Sequence, residues 1–212
     1  AKYRDESAML EQPFTLTFGP EIAVDHALLK LAQGQVSVSG SISPRLAVHA
    51  TAENVSATVL TPFVSELPSE GRLSATADLS GTLSNPEGII TAQGRGLRAR
   101  RVSSVVMPAS LDARALLRER TVTVNAEVSA GASLRLTVAG DVSLRADLAL
   151  DLDLQGQGEL SFLNPLLSAE GRNLQGRVSL DMSVGGTVEA PRLSGRATLS
   201  QGAVQAVQRG LR

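Results

Sequence analysis

Cysteine and tryptophan are both absent from this chain of 212 residues, and only 2% of its residues are aromatic. Without cysteine the chain has no disulfides, no thiolate metal sites and no cysteine nucleophile. A compact core of this size normally uses aromatic anchors, because each of them buries so much area. Hydrophobic residues nevertheless make up 42% of the chain, so its apolar surface consists almost entirely of valine, leucine and alanine.

Long apolar runs are also missing. No stretch of about 18 apolar residues exists, so we expect no transmembrane helix, and no signal-peptide pattern opens the chain. The net charge of −1 does not call for nucleic acid or an anionic surface as a partner. Because the chain begins with Ala1 rather than methionine, we expect a piece of a longer protein. Any membrane anchor or export signal then lies outside it.

Catalytic motifs are not found either. His26 and His49 have no neighbouring residues that would complete a triad or a metal site, and neither a G-x-S-x-G elbow nor a Walker A sequence occurs. Asp147, Asp151 and Asp153 alternate with leucines, as the wet face of a sheet requires, and we expect them to face arginines on neighbouring strands. The sequence therefore predicts no enzyme, no metal ion and no cofactor.

The densest basic cluster consists of Arg95, Arg98, Arg100 and Arg101. Nucleic-acid binding would need aromatic side chains for stacking, and none lies nearby. The cluster is typical of a charged edge strand, which discourages aggregation of one sheet with another. Contact with anionic lipid headgroups is the alternative.

Alternation of apolar and polar residues dominates the rest of the chain. Side chains of a strand point to opposite faces in turn, so each such run has one apolar and one wet face. The pattern predicts an all-β protein of about fifteen strands, without long amphipathic helices. The residues predicted to share the apolar face are Val36, Val38, Leu73, Ala75, Ala77, Leu79, Val122, Val124, Val128, Leu134, Leu136, Val138, Leu148, Leu150, Leu152, Leu154, Val178, Leu180, Met182 and Val184.

Two segments break the alternation. At 60–67, Thr61 and Pro62 are suited to the start of a helix, and 160–167 resembles this segment. We expect one or two short helical insertions there, covering a sheet edge. Residues 22–31 fit a strand or a helix equally well.

An internal repeat organises the chain. The sequence G-T-L-S-N-P at 81–86 is matched by G-T-V-E-A-P at 186–191, which is 105 positions later. Gly81, Pro86, Gly186 and Pro191 are predicted turn residues. We divide the chain into a lead-in at 1–13, a first run of strands at 14–130 and a second, continuous run at 131–212. Such repetition predicts an elongated array rather than a closed globule.

The apolar face has two interpretations. It is either the dry core of a sandwich or barrel, or the inner face of an open trough that holds lipid chains. Each buried CH₂ is worth about 0.8 kcal/mol, so an acyl chain of about sixteen carbons needs shelter worth on the order of 12 kcal/mol. A continuous lining of valine, leucine and alanine would provide this shelter. The residues alone leave both interpretations open.

The turn sequence resembles that of the TamB family, the inner-membrane subunit of the translocation and assembly module of bacterial envelopes. The match is densest at 184–195, V-G-G-T-V-E-A-P-R-L-S-G, which follows the family phrase G-T-hydrophobic-x-x-P-x-hydrophobic-x-G. At 81–86 the phrase recurs, but Glu87, Gly88 and Ile89 replace its ending. The looser pattern of strands and turns covers most of 14–207, and the related AsmA-like proteins share parts of it.

This resemblance implies a long U-shaped sheet, or β-taco, with an apolar inner groove. It also implies a periplasmic location, an inner-membrane anchor outside this chain, and a conduit for phospholipids toward the outer membrane. A role in outer-membrane and autotransporter assembly, with an outer-membrane barrel partner, is implied as well. The alternative function is that of a structural, repetitive β-domain of a surface adhesin or secreted passenger with a dry core. An outer-membrane barrel is disfavoured because its aromatic girdles are missing.

Overall fold

The structure, a computed structural model, describes residues 2–3, 6–7, 9–10, 13–20, 22–31, 33–60, 68–99, 107–164 and 172–206. The strands are β1 (Lys2–Tyr3), β2 (Glu6–Ser7), β3 (Met9–Leu10), β4 (Leu16–Thr17), β5 (Ile22–Leu31), β6 (Gly34–Ser43), β7 (Leu46–Ser56), β8 (Pro68–Thr82), β9 (Asn85–Ala99), β10 (Ala109–Arg118), β11 (Thr121–Ala130), β12 (Leu134–Ser143), β13 (Leu150–Glu159), β14 (Arg172–Gly186) and β15 (Pro191–Ala206). Single 3₁₀ turns follow β7 at Ala57–Leu60 and β13 at Leu160–Leu163.

Thirteen of these strands form one antiparallel sheet, in which each strand from β5 to β15 pairs with the next one along the chain. At the other end of the sheet, β3 and β4 both pair with β5, while β1 and β2 form a separate pair. The prediction of an all-β fold is confirmed. Residues 22–31, which fitted either a strand or a helix, form β5.

The two expected helical insertions are single 3₁₀ turns where they are described, and residues 61–67 and 165–171 lie outside the described part. Each 3₁₀ turn begins at the residue that follows the end of a strand, and there the chain leaves the sheet. Asn164 holds the second turn against β14, because its side-chain amide donates to Leu174 O at 3.0 Å and its Oδ1 accepts from Leu174 N at 2.6 Å. The side chain of Asn164 thus makes with the Leu174 backbone the two hydrogen bonds that a neighbouring strand would otherwise make.

Residues 9–10 and the strands on both sides of the division at 130/131 belong to the same sheet. Within the lead-in, Met9 and Leu10 pair with Lys30 and Leu29 of β5. Near the start of the first run, the strand β4 has only two residues. Residues 131–133 form the tight hairpin between β11 and β12, which pair over ten residues. The sheet is therefore continuous across the division.

The register between strands places apolar residues opposite one another across the whole sheet. Directly paired residues of neighbouring strands point to the same face, so a row of partners marks one face of the sheet. One such row crosses from β6 to β14 through Val36, Ala52, Ala75, Ala92, Ala113, Ala126, Val138, Leu154 and Met182. We call the face that carries this row the apolar face, and the opposite one the polar face.

Few side chains are buried. Among the described residues, the buried apolar side chains are Leu46, Val55, Ala57, Leu97, Leu117 and Ala130. Five of them lie near the ends of their strands and Ala57 begins the 3₁₀ turn after β7, whereas the middle of the apolar face is only half-buried. The chain exposes 14318 Å², compared with about 9,300 Å² for a compact protein of the same mass. The sheet is therefore open.

The internal repeat is reproduced in the pairing register. Arg72 pairs with Arg95 in the β8–β9 hairpin, and Arg177 pairs with Ser200 in the β14–β15 hairpin. Moving 105 positions along the chain converts the first pair into the second. The same shift relates the pair Gly81 and Pro86, near the turn of the β8–β9 hairpin, to the pair Gly186 and Pro191. The chain builds the same long hairpin twice, each time after a 3₁₀ turn.

The G-T-x-x-x-P turn has a common geometry in both copies. Thr82 Oγ1 accepts a hydrogen bond from Asn85 N at 3.1 Å, and Thr187 Oγ1 accepts one from Ala190 N at 3.1 Å. The preceding glycines have φ of +97° at Gly81 and +86° at Gly186. Residues other than glycine rarely adopt such positive φ values. The threonine side chain and the glycine backbone together explain why the motif recurs.

Candidate functional site

Nineteen of the twenty residues predicted to share the apolar face lie on it, because the pairing register connects them through consecutive strands. All nineteen are half-buried. Leu148 is the exception and corrects the prediction. It precedes β13 in a turn, has φ of +42° and is 39% exposed. Its N–H donates to Arg145 O at 2.9 Å, so turn geometry replaces the strand that alternation predicted.

The structure adds residues to this face that the sequence prediction did not include. The strand β10 contributes Leu111, Ala113, Ala115 and Leu117, which pair with Val128, Ala126, Val124 and Val122 of β11. The sequence of β10 does alternate, since Asp112, Arg114 and Leu116 lie between these residues. The alternation in hydrophobicity is weak because two of the four residues on the apolar side are alanines.

Gly94 and Gly158 do not interrupt the apolar face, because leucine side chains lie over them. A Cβ atom built on Gly94 would lie 2.6 Å from Leu97 Cδ1 and 3.3 Å from Leu111 Cβ. One built on Gly158 would lie 3.1 Å from Leu134 Cδ1. The leucine side chains occupy the space that a β-carbon would fill, and the apolar surface continues across these positions.

The apolar face is long and uncovered. A row of partners extends from Leu29 on β5 to Gly195 on β15, eleven strands that span about 48 Å at the usual spacing between strands. The described residues place no second sheet or helix over this face, and they form no enclosed apolar groove along it. From β6 to β14 its side chains are half-buried by one another, while on β15 Leu193 is 64% exposed and Leu199 57%.

The polar face is tied together by paired hydroxyls. Ser37 Oγ and Thr51 Oγ1 lie 2.7 Å apart, as do Thr76 Oγ1 and Thr91 Oγ1. A depression of about 470 Å³ on the same face is lined mainly by polar side chains, including Arg135. The hydroxyl contacts join neighbouring strands. The depression contains no group of reactive side chains.

Asp153, on the polar face, has a partner other than the expected arginine. Asp153 accepts a hydrogen bond from Ser183 Oγ at 3.0 Å, whereas Arg135 pairs with Glu127 at 3.0 Å and Arg177 with Glu159 at 3.8 Å. The expected pairing of Asp153 with an arginine is therefore wrong. Serine is the residue that the register brings opposite Asp153.

His49 also has a partner that the sequence did not indicate. Its Nδ1 lies 2.5 Å from Asp78 Oδ1 on the neighbouring strand, and both side chains are more than half exposed. No third group completes a triad, and the described residues contain no cluster of three or more metal-ligating side chains. In the basic cluster, Arg98 pairs with Glu70 at 3.6 Å, while Arg100 and Arg101 lie outside the described residues.

Within the part of the chain that the structure describes, no helix has the length and apolarity needed to cross a bilayer. Comparison of the chain with known proteins finds no matching family model, no matching curated protein and no matching solved structure. The resemblance to the TamB family therefore depends on the turn phrase and the strand pattern.

Proposed function

We propose that this chain is a segment of a TamB-like periplasmic protein that shelters the acyl chains of phospholipids on its apolar face. The observation that carries the proposal is the continuity of this face over eleven strands without a covering layer among the described residues. An uncovered face of this length is costly in water, because each square ångström of apolar surface left exposed forgoes about 25 cal/mol. An occupant made of hydrocarbon would recover that energy.

The chemistry of the face favours acyl chains as the occupant. The predicted lining residues are valine, leucine, alanine and one methionine, and leucine side chains cover Gly94, Gly156 and Gly158 between them. Dispersion and hydrophobic contacts are not directional, so a lining of this kind accepts a chain at any position along the row. Full burial of a chain of about sixteen carbons is worth on the order of 12 kcal/mol, and contact with such a face recovers a part of it. On a continuous face the acyl chain could move along the row without being returned to water.

A trough-like curvature belongs to the proposal. Along β14, Val178, Leu180 and Met182 are half-buried, while Ser179 and Asp181 on the opposite side are exposed. Bending of the sheet toward its apolar side would crowd those side chains and spread the polar ones. The proposed trough corresponds to the β-taco of TamB-like proteins. Phospholipid would move along it between the inner and outer membranes, in support of outer-membrane and autotransporter assembly.

A dry-cored structural module of an adhesin or secreted passenger is the second candidate. It requires a second layer packed on the apolar face, and the described residues provide none. The six buried apolar side chains lie near strand ends rather than in the middle of the face. These two observations favour a lipid-sheltering face over a dry core.

Native mass spectrometry of the purified chain tests the proposal. We expect phospholipid to co-purify with the parent chain and to be lost from Leu180→Arg, because a guanidinium in the middle of the apolar face disfavours hydrocarbon there. Leu150→Arg should behave in the same way. Ser179→Arg is the matched control, since it adds the same charge to the polar face of the same strand and should retain lipid.

Circular dichroism establishes first that all variants keep their β-sheet content. The proposal fails if folded Leu180→Arg carries as much phospholipid as the parent chain does. It also fails if the parent chain carries no phospholipid and phospholipid added to it does not raise its thermal midpoint, since a dry core gains nothing from lipid. In the full-length protein, Leu180→Arg should block lipid passage.

A further inference from the structure

Hairpin turns follow β6, β8, β10, β12 and β14 at one end of the strands. We call this end the turn rim, and its residues are 44–45, 83–84, 119–120, 144–149 and 187–190. Three neighbouring turns of the rim are joined through their backbones, because Leu144 N donates to Arg120 O at 2.8 Å and Val188 N donates to Leu148 O at 3.2 Å. Strands join a sheet along its lateral edges, so pairing of a further strand with β15 would not cover these turns.

Two adjacent turns of the rim each present an arginine and an acid that do not pair with each other. Arg120 and Arg145 are exposed, and neither guanidinium forms an ion pair or hydrogen bond with another described residue. The acid beside each arginine contacts another group. Glu119 Oε1 lies 3.9 Å from Arg118 Nε, and Asp147 accepts a hydrogen bond from a serine hydroxyl at 3.5 Å. Charges of both signs are thus available to a ligand at this rim.

Arginines toward the opposite ends of the strands are arranged differently. Arg135 and Arg177 lie 3.0 Å and 3.8 Å from glutamates of neighbouring strands. Arg95 has no carboxylate partner, but its cross-strand neighbour is Arg72 rather than an acid. An unpaired arginine with an acid one or two positions away therefore distinguishes the turn rim from these strand ends.

Apolar side chains lie beside the charged ones on the turn rim. Val142 and Leu150 pair on the apolar face where β12 ends and β13 begins. In the turn between them Leu148 is 39% exposed, and Val188 in the next turn is 54% exposed. The strands β11, β12 and β13 have ten residues each, about 33 Å at the usual rise per residue. An acyl chain can therefore lie along a strand of the apolar face with its polar end at this rim.

We propose that the turn rim binds the headgroups of phospholipids whose acyl chains lie on the apolar face, and that it prefers a zwitterionic headgroup to an anionic one. This inference rests on the proposed function. Arg120 and Arg145 bind phosphate oxygens, since guanidinium groups form charge-assisted hydrogen bonds with phosphate. Glu119 and Asp147 attract the ammonium group of the same or a neighbouring headgroup.

The charge balance of the rim favours the zwitterionic headgroup. Three arginines and three acids lie in its five turns, namely Arg45, Arg120, Arg145, Glu119, Asp147 and Glu189, so the formal net charge of the rim is zero. An anionic headgroup gains no attraction from a neutral rim as a whole, and it leaves the carboxylates without a cation. A headgroup with a phosphate and an ammonium places one charge opposite each kind of side chain.

Native mass spectrometry of the whole chain tests this preference. The chain is incubated with equal amounts of phosphatidylethanolamine and phosphatidylglycerol that have identical acyl chains. We expect at least about three-fold more phosphatidylethanolamine than phosphatidylglycerol to be bound, which is the effect of one exposed ion pair. Inorganic phosphate in excess should leave this ratio unchanged, because the acyl chains hold the lipid headgroups at the rim.

Neutralising the acids of the rim should remove the preference. In the double variant Glu119→Gln and Asp147→Asn the ammonium group loses its partners and the rim becomes positively charged, so phosphatidylglycerol should bind at least as well as phosphatidylethanolamine. The matched control is the double variant Asp112→Asn and Asp153→Asn, which removes two acids from the polar face inside the sheet. It should keep the preference of the parent chain.

The position of the headgroup is measured separately by NMR of the methyl groups. A phospholipid with a nitroxide attached to its headgroup should broaden the signals of Leu148 and Val188, which lie on the turn rim. The signals of Leu97 and Leu134, near the opposite ends of their strands, should broaden much less, since paramagnetic broadening falls steeply with distance.

Equal binding of the two lipids by the parent chain, or stronger broadening at Leu97 and Leu134, would overturn this proposal while leaving lipid binding intact. Loss of the lipid ratio in excess phosphate would also overturn it, since the rim would then bind free phosphate. A parent chain without any phospholipid would overturn both proposals. Leu180→Arg should lose both lipids, whereas the Glu119→Gln and Asp147→Asn variant should retain the total amount of lipid and change only its composition.

Discussion

The side chains of Leu136 and Leu180 converge over Gly156, although two strand spacings separate their backbones. Gly156 pairs with Leu136 of β12 on one side and with Leu180 of β14 on the other. A Cβ atom at Gly156 would lie 3.0 Å from Leu136 Cδ1 and 3.4 Å from Leu180 Cδ1. The glycine provides room for two leucines from neighbouring strands, and the apolar face continues across it.

Two glycines of the apolar face should respond differently to alanine. At Gly140, φ is +141° and a Cβ atom would lie 2.1 Å from Asp151 O, so Gly140→Ala should lower the free energy of unfolding by on the order of 1–3 kcal/mol or more. At Gly156 the added methyl meets the flexible ends of leucine side chains. Gly156→Ala should therefore change the free energy of unfolding by less than about 1 kcal/mol. Urea unfolding measures both. Equal losses at the two positions would contradict this reading of the backbone.

The turn threonines provide a second prediction. Thr82→Ala and Thr187→Ala each remove a hydrogen bond of 3.1 Å to a backbone N–H, and each should lower the free energy of unfolding by about 0.5–1 kcal/mol. The corresponding serine substitutions keep the hydroxyl and should retain most of the stability. If serine proves as destabilising as alanine, the β-branched side chain rather than the hydrogen bond stabilises these turns.

A pair of like charges provides the third prediction. Asp141 and Asp151 lie directly opposite each other on β12 and β13, and Thr123 Oγ1 donates to Asp141 at 2.6 Å. Asp151→Asn should raise the free energy of unfolding at neutral pH by a few tenths of a kcal/mol, because carboxylates in this arrangement repel. The gain should shrink in about 1 M salt, where the Debye length is about 3 Å.

The control for this prediction is Asp153→Asn. Asp153 lies opposite Ala139 and Ser183 rather than another acid, so its neutralisation should bring no gain. An equal gain in both variants would mean that the overall charge of the sheet, rather than the facing pair, controls its stability.

Much of the face assignment was predictable from local patterns. Val178, Leu180 and Met182 share a face because side chains alternate with a period of two along any strand, whatever its neighbours are. The turns at Gly81 and Gly186 were predictable for a similar reason, since glycine is the residue that adopts their positive φ without strain. The predictions failed where alternation misleads, as at Leu148, or where alanine weakens it, as in β10.

The sequence by itself determined that this chain is a repetitive all-β protein with one apolar side to each strand. Only the tertiary structure decided that these sides join into one continuous face and that His49 meets Asp78. These features depend on the register between strands and on what lies over the sheet. Both are set by hydrogen bonds and contacts between residues that are distant in sequence, which local periodicity does not encode.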